Sequence, residues 1–147
     1  MSLAMSKGFT VKQTINRPPR KVWSFLTDMR NADQWMTGVE NMRPVAPGPI
    51  GVGSRFSFTA RGAERETEVC AFEPSRKIAL KSTQGGVTAV YEYSITPNAG
   101  ASDVELRATC EARGLWKVLY PIILVLMRKS DAGHLVQLRN AIERQAP

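Results

Sequence analysis

The sequence predicts an α+β fold: seven antiparallel strands in one curved sheet, two short helices after the first strand, and a long C-terminal helix packed on the sheet. Three observations carry that expectation. Phe56/Phe58, Ile78/Leu80, Ala89/Tyr91/Tyr93/Ile95 and Val104/Leu106/Ala108/Cys110 alternate with a period of two, as half-buried strands do. Turn-forming residues separate these stretches so closely that only short antiparallel connections fit. From Leu115 to Arg144 the apolar period becomes helical and stays so.

Each element can be justified in turn. Phe9 to Ile15 alternates and reads as the first strand. Pro18-Pro19 suits a helix start, and Val22, Phe25, Leu26 and Met29 then fall at i, i+3, i+4 and i+7, the apolar stripe of a packed helix. A second short helix is expected from Asn31 to Thr37, stopped by Gly38. Six strands follow: Glu40 to Val45, Ser54 to Arg61, Glu64 to Phe72, Lys77 to Thr83, Val87 to Thr96 and Asp103 to Ala112. Their turns are read at Gly51/Gly53, Gly62, Pro74-Ser75, Gly85-Gly86 and Pro97-Asn98. The last helix should kink at Pro121, whose ring removes a backbone hydrogen bond. A sheet must bury one face, and only this helix is long enough to cover it. A curved sheet wrapped on one helix leaves a cavity unless large side chains fill it.

Composition bounds what such a chain does. At 147 residues, 43% hydrophobic and 22% charged, it has the size and balance of one globular domain. That domain is placed from Gly8 to Pro147, with Met1 to Lys7 expected to be a disordered N-terminus or a cloning remnant. The apolar stretch Leu115 to Met127 is broken by Lys117 and Pro121 and is shorter than the ~20 residues that span a bilayer. No signal peptide is evident before Gly8, and the cytoplasm is the expected location. Two cysteines, Cys70 and Cys110, read as core thiols in strands. Net charge is +7, but the basic residues are spread along the chain, so no specific nucleic-acid partner is expected. A single histidine, His134, excludes a multi-histidine metal site, and no cofactor is implied.

The words Pro-Pro-Arg-Lys-Val-Trp-Ser-Phe-Leu-Thr-Asp from Pro18, followed by Trp35, resemble the opening of the polyketide cyclase/dehydrase and lipid-transport family. That family lies within the superfamily of StAR-related lipid-transfer and birch-allergen-like proteins. Phe72-Glu-Pro-Ser-Arg-Lys-Ile-Ala-Leu resembles its strand entry. Tyr91-Glu-Tyr-Ser-Ile-Thr-Pro, through Asp103-Val-Glu-Leu, resembles its last hairpin. The resemblance runs from about residue 8 to 145. It implies the helix-grip fold, with an internal hydrophobic cavity between sheet and helix. Trp23 and Trp35 then read as packing residues first. The glycine-rich loop of the birch-allergen branch is not matched, and Gly51-Val-Gly-Ser reads as a turn.

Candidate site residues come from the last helix and the sheet. At about 100° per residue, Leu124, Leu135, Leu138 and Ile142 share one helix face, with Arg128 and Asp131 within about 40° of its centre and His134 about 80° off. A carboxylate three residues before a histidine can orient it for proton transfer, which makes Asp131 and His134 the catalytic candidates. Arg128 could hold a ligand oxygen bidentately, or simply pair with Asp131 at the rim while His134 flanks the helix in solvent. The ligand-lining candidates are Phe56, Phe58, Tyr91, Tyr93, Leu124, Arg128, Leu135 and Leu138. Glu66 and Glu68 are expected to face water, with Thr67, Val69 and Ala71 on the inner face.

The first functional expectation is binding, extending to transport, of a hydrophobic small molecule, lipid-like or polycyclic, in the cavity. The alternative is a metal-free cyclase/dehydratase that uses the same cavity, with Asp131/His134 or a tyrosine as acid/base. A third reading has Leu115 to Met127 meeting an anionic membrane surface or a protein partner, flanked by Lys117, Arg128 and Lys129. Monomer and homodimer both fit the sequence.

Overall fold

The computed structural model describes residues 7–36, 38–84, 86–114, 119, 121–122, 125, 128–129 and 133–145. Its strands are β1 (Lys7–Ile15), β2 (Val39–Pro44), β3 (Arg55–Ala60), β4 (Ala63–Glu73), β5 (Lys77–Gln84), β6 (Val87–Asn98) and β7 (Ala101–Ala112). They form one antiparallel sheet in the order β1-β7-β6-β5-β4-β3-β2. From β3 to β7 every connection is a tight hairpin, as the turn spacing predicts; a ten-residue loop joins β2 to β3, and the helices lie between β1 and β2.

Helix α1 (Pro19–Thr27) starts where the two prolines place it and buries Val22, Phe25 and Leu26. A 3₁₀ turn (Met29–Asn31), capped by the Asp28 side chain, leads into α2 (Ala32–Trp35). This is shorter than the predicted helix, because Asn31 belongs to the 3₁₀ turn and Met36 (φ −91°, ψ 101°) is already extended, two residues before Gly38 (φ +83°). Toward the C-terminus, Leu119, Pro121, Ile122, Val125, Arg128 and Lys129 have helical backbone and are exposed. Gly133 then makes a turn, and α3 (His134–Glu143) follows. Gly133 thus interrupts the helical backbone among the described residues, while the backbone on which the expected kink at Pro121 depends lies partly outside them. No helix among the described residues is long and apolar enough to cross a membrane.

Two local departures from the expected strands have physical causes. The β6–β7 turn is Ala99-Gly100 (φ +48° and +88°), not Pro97-Asn98, and Pro97 pairs with Ser102 inside the hairpin. Proline is tolerated there because the β5 pairing of β6 ends at Ser94, so the far side of Pro97 has no ladder to complete. In β4 the register shifts between Val69 and Ala71, making Cys70 an extra, exposed residue. Thr67 and Val69 face inward as expected, but past the bulge Ala71 pairs with Ala79, while Phe72, opposite Ile78, packs on the core beside Trp23.

The core lies between the sheet's inner face and the helices. It joins Ile15, Val22, Leu26, Val104 and Leu106 to Leu135, Leu138, Ala141 and Ile142 of α3. Arg17 ties this end together by donating to the carbonyls of Glu143 (3.0 Å) and Gln145 (3.1 Å), which α3 leaves without helical partners. Ser102, fully buried, donates to the Arg17 carbonyl at 2.7 Å, so it carries no unmet hydrogen bond into the core.

Candidate functional site

The ladder register lines up inward side chains in rungs that shrink along the sheet. One rung is Ile95–Val104, the next Ile78–Tyr93–Leu106, then Leu80–Tyr91–Ala108, then Ser82–Ala89–Cys110. At the bulky end α3 fills the concave face, and Leu135 and Leu138 have no exposed surface. At the small end the same face has too little side-chain volume to meet the helices, and a hollow remains.

That hollow is a cavity of about 240 Å³. Its floor is Thr67, Leu80, Ser82, Ala89, Tyr91 and Tyr93, from three adjacent strands. Phe58 of β3, Met36 after α2 and Val39 and Met42 of β2 form the side walls, and His134, the first residue of α3, closes one end. His134 is 7% exposed. Trp35, also buried, packs against both His134 and the floor: its ring is edge-on to Tyr93 at 5.4 Å between centroids and to His134 at 6.4 Å. The Thr67 hydroxyl donates to the Lys81 carbonyl at 3.3 Å, so this wall is tied into the sheet.

Met42 reaches this wall through a distortion of β2. From Glu40 to Arg43 the strand advances three residues while β3 advances two, from Thr59 to Ser57, and Asn41 takes φ +55°. Such a bulge re-aims the neighbouring side chain, here opposite Phe58. Beyond Met42 lies a second, wider hollow of about 690 Å³, under the loop from Pro44 to Gly53, with Met29, Ile50 and Phe56 on its apolar side. The loop is pinned at both ends: Val45 N–H donates to Arg55 O (2.9 Å) and Gly53 N–H to Val69 O (2.9 Å). Gly51 to Ser54 closes as a turn, with the Gly51 N–H donating to the Ser54 hydroxyl at 3.0 Å.

The sequence-derived candidates separate accordingly. Phe58, Tyr91, Tyr93 and His134 meet around the cavity. Phe56 lines the second hollow, and Leu135 and Leu138 belong to the solid core. Arg128 is helical and exposed. Leu124 and Asp131 lie outside the described residues, as do Met1 to Ser6 of the expected N-terminal extension. Glu66 is exposed, 3.7 Å from Arg55, and Glu68 is half-buried. Sequence reasoning missed Met36, Val39, Met42, Thr67, Leu80, Ser82 and Ala89 as lining. The strand alternation already held the signal for Leu80, Ser82 and Ala89.

Titration shifts fall outside the cavity floor. Burial, aided by the neighbouring Glu111 charge, pushes the Cys110 thiol above its usual value and keeps it protonated at neutral pH. Hydrogen bonds from Arg30 hold the Asp28 carboxyl below the usual range, with Nε at 2.9 Å and Nη2 at 2.7 Å. The Thr59 hydroxyl and then Arg43 do the same for Glu64.

An antiparallel sheet gripping a C-terminal helix, with a hollow left at one end, defines the helix-grip class of domain. Within that class, residues 7–138 match the family described as polyketide cyclase / dehydrase and lipid transport, and the chain belongs to it. No curated protein matches the sequence. Among solved structures, the ZhuI aromatase/cyclase of Streptomyces sp. R1128 is 14% identical with a TM-score of 0.77, covering 95% of this chain and 94% of its own. A Thermus thermophilus protein is 18% identical with a TM-score of 0.73, covering 94% and 98%. Norcoclaurine synthase from Thalictrum flavum, solved with dopamine and hydroxybenzaldehyde, is 11% identical with a TM-score of 0.73, covering 98% and 90%. At identities this low the likeness shows a shared fold alone.

Proposed function

We propose that the protein binds a hydrophobic small molecule, with a ring system as its core, in the cavity between the sheet and His134. The observation that carries this reading is the hollow at the small end of the ladder, walled by Phe58, Tyr91, Tyr93, Leu80 and two methionines. Its 240 Å³ lies just under the ~300–1,000 Å³ of drug-sized sites, a volume for one or two fused rings. Enclosing about 250 Å² of such a ligand gives on the order of 6 kcal/mol before ordering costs, an affinity in the tens of micromolar at best. Thr67, Ser82, the tyrosines and His134 would orient it. The solved relatives that carry ring-forming or aromatic-substrate names, ZhuI and norcoclaurine synthase, support a ring-bearing ligand by analogy.

Fluorescence titration with prodan, a solvatochromic naphthalene ketone, tests this reading. Binding with a blue-shifted emission, lost when the cavity is filled by Ala89→Leu, is the expected result. Absence of binding, or binding indifferent to that substitution, overturns it.

A cyclase/dehydratase is the second reading, favoured by the placement of His134 in the cavity wall. There the cavity would pre-fold a poly-β-ketone chain, and His134, with Asp131 or a tyrosine, would move the proton. His134→Ala would then abolish turnover of such a chain while leaving prodan affinity nearly intact. An unchanged rate removes His134 from that mechanism.

A further inference from the structure

We propose that the cavity and the hollow beneath the Pro44 to Gly53 loop are two compartments of one elongated site, and that Met42 is the door between them. The inference rests on the cavity being a ligand site and adds the shape of its ligand. Among the described residues Met42 is the one side chain that lines both hollows. They also share a wall: Phe56 and Thr67 are direct cross-strand partners, yet Phe56 lines the outer compartment and Thr67 the inner.

Nothing in a regular strand would put Met42 there. The extra residue in β2 and the left-handed Asn41 turn the methionine to its place opposite Phe58. An unbranched thioether with three rotatable bonds is suited to such a post, because it can swing aside without disturbing the backbone. The loop that roofs the outer compartment is hydrogen-bonded to β3 and β4 at both ends, so that compartment is part of the fold.

The linings of the two compartments suggest the ligand class. The inner one is mostly apolar, with a few groups that can meet a hydroxyl or carbonyl (Thr67, Ser82, Tyr91, Tyr93, His134). The outer is more polar, with Thr27, Asp28 and Ser54 in its lining, but it carries an apolar strip, Met29, Ile50 and Phe56, and its two arginines already face carboxylates, Arg30 on Asp28 and Arg55 on Glu66. The site fits a molecule whose ring-bearing, hydroxyl- or carbonyl-carrying head enters first and whose uncharged hydrocarbon tail passes Met42.

Prodan and laurdan share one naphthalene ketone and differ in carrying a propionyl or a dodecanoyl chain, so their affinity ratio reads the outer compartment alone. Laurdan should bind the wild type at least about tenfold more tightly, since burying only about two of its extra methylenes gives that factor. Ile50→Asp, which puts a charge on the apolar strip of the outer compartment, should erase the advantage while prodan affinity stays within about twofold, and Met42→Trp, which bars the door, should erase the advantage whatever it does to prodan itself. Met42→Ala should preserve or raise that advantage. If laurdan binds no better than prodan, or the ratio of the two affinities is unmoved by Ile50→Asp and Met42→Trp, the compartments are not joined and the proposal falls, while the cavity reading stands. If neither probe binds the wild type, the cavity reading itself has failed.

Discussion

Ala89→Leu and Ala141→Leu make the same chemical change at opposite ends of the ladder, and the structure assigns them opposite signs. Ala89 pairs with Ser82 and Cys110 on the smallest rung and borders the cavity, whereas Ala141 of α3 is 1% exposed within the solid core. Leucine carries three more carbons than alanine, worth about 0.8 kcal/mol each when buried, or about 2.4 kcal/mol in all. Ordering the longer side chain takes back about 0.5–1 kcal/mol. In a hollow, then, Ala89→Leu should stabilise the protein by about 1.5 kcal/mol and raise Tm by about 3–6 °C for a chain of this length. In a packed core there is no room, and Ala141→Leu should destabilise by about 1–3 kcal/mol. Differential scanning calorimetry of the two variants beside the wild type decides the matter. If Ala89→Leu lowers Tm as Ala141→Leu does, the small end of the ladder is not hollow and the reasoning about the cavity is refuted.

Two further outcomes follow from titration and exposure. Cys70 bulges out of β4 into solvent, whereas the Cys110 thiol is buried and held protonated, so a thiol reagent at neutral pH should label Cys70 rapidly and Cys110 only on unfolding; equal rates in the native protein would contradict this. The Arg30 hydrogen bonds lower the Asp28 pKa in the folded state, so their stabilising effect is full above the ordinary Asp value near ~3.9 and is lost as pH falls through the folded value. The Tm difference between wild type and Asp28→Asn should therefore be largest near neutrality and close in acid. A pH-independent difference would show that the ion pair is energetically silent, as exposed pairs often are.

Most of the architecture was legible in the sequence because its signals are local. Alternation in Ala89/Tyr91/Tyr93/Ile95 and Val104/Leu106/Ala108/Cys110 fixes which side chains face inward, and the prolines before Arg20 start α1. The site was legible in half. Phe58, Tyr91 and Tyr93 follow from strand parity and line the cavity, and His134, whose place about 80° off the apolar face left it between cavity and solvent, lines it too. Leu135 and Leu138 show the same apolar signature, yet they fill the core, because a helical projection does not say where along the sheet each turn will land. Met42 was unreadable for a different reason. A bulge adds one residue and reverses parity beyond it, and nothing in Glu40-Asn41-Met42-Arg43 announces that the backbone will turn left-handed at Asn41. The same holds at Cys70, where one extra residue turns Ala71 out and brings Phe72 onto the core.

The shrinking rungs divide the labour of the sheet in a way that bears on how such a chain changes over generations. Substitutions around Ile95, Val104 and Leu106 are judged by volume, since every atom there has neighbours that must move. Around Ser82 and Ala89 the neighbours are partly missing, so a substitution that adds volume alters the outline of the cavity without displacing packed atoms. Selection can therefore reshape one end of the molecule for a new occupant without first compensating at the other.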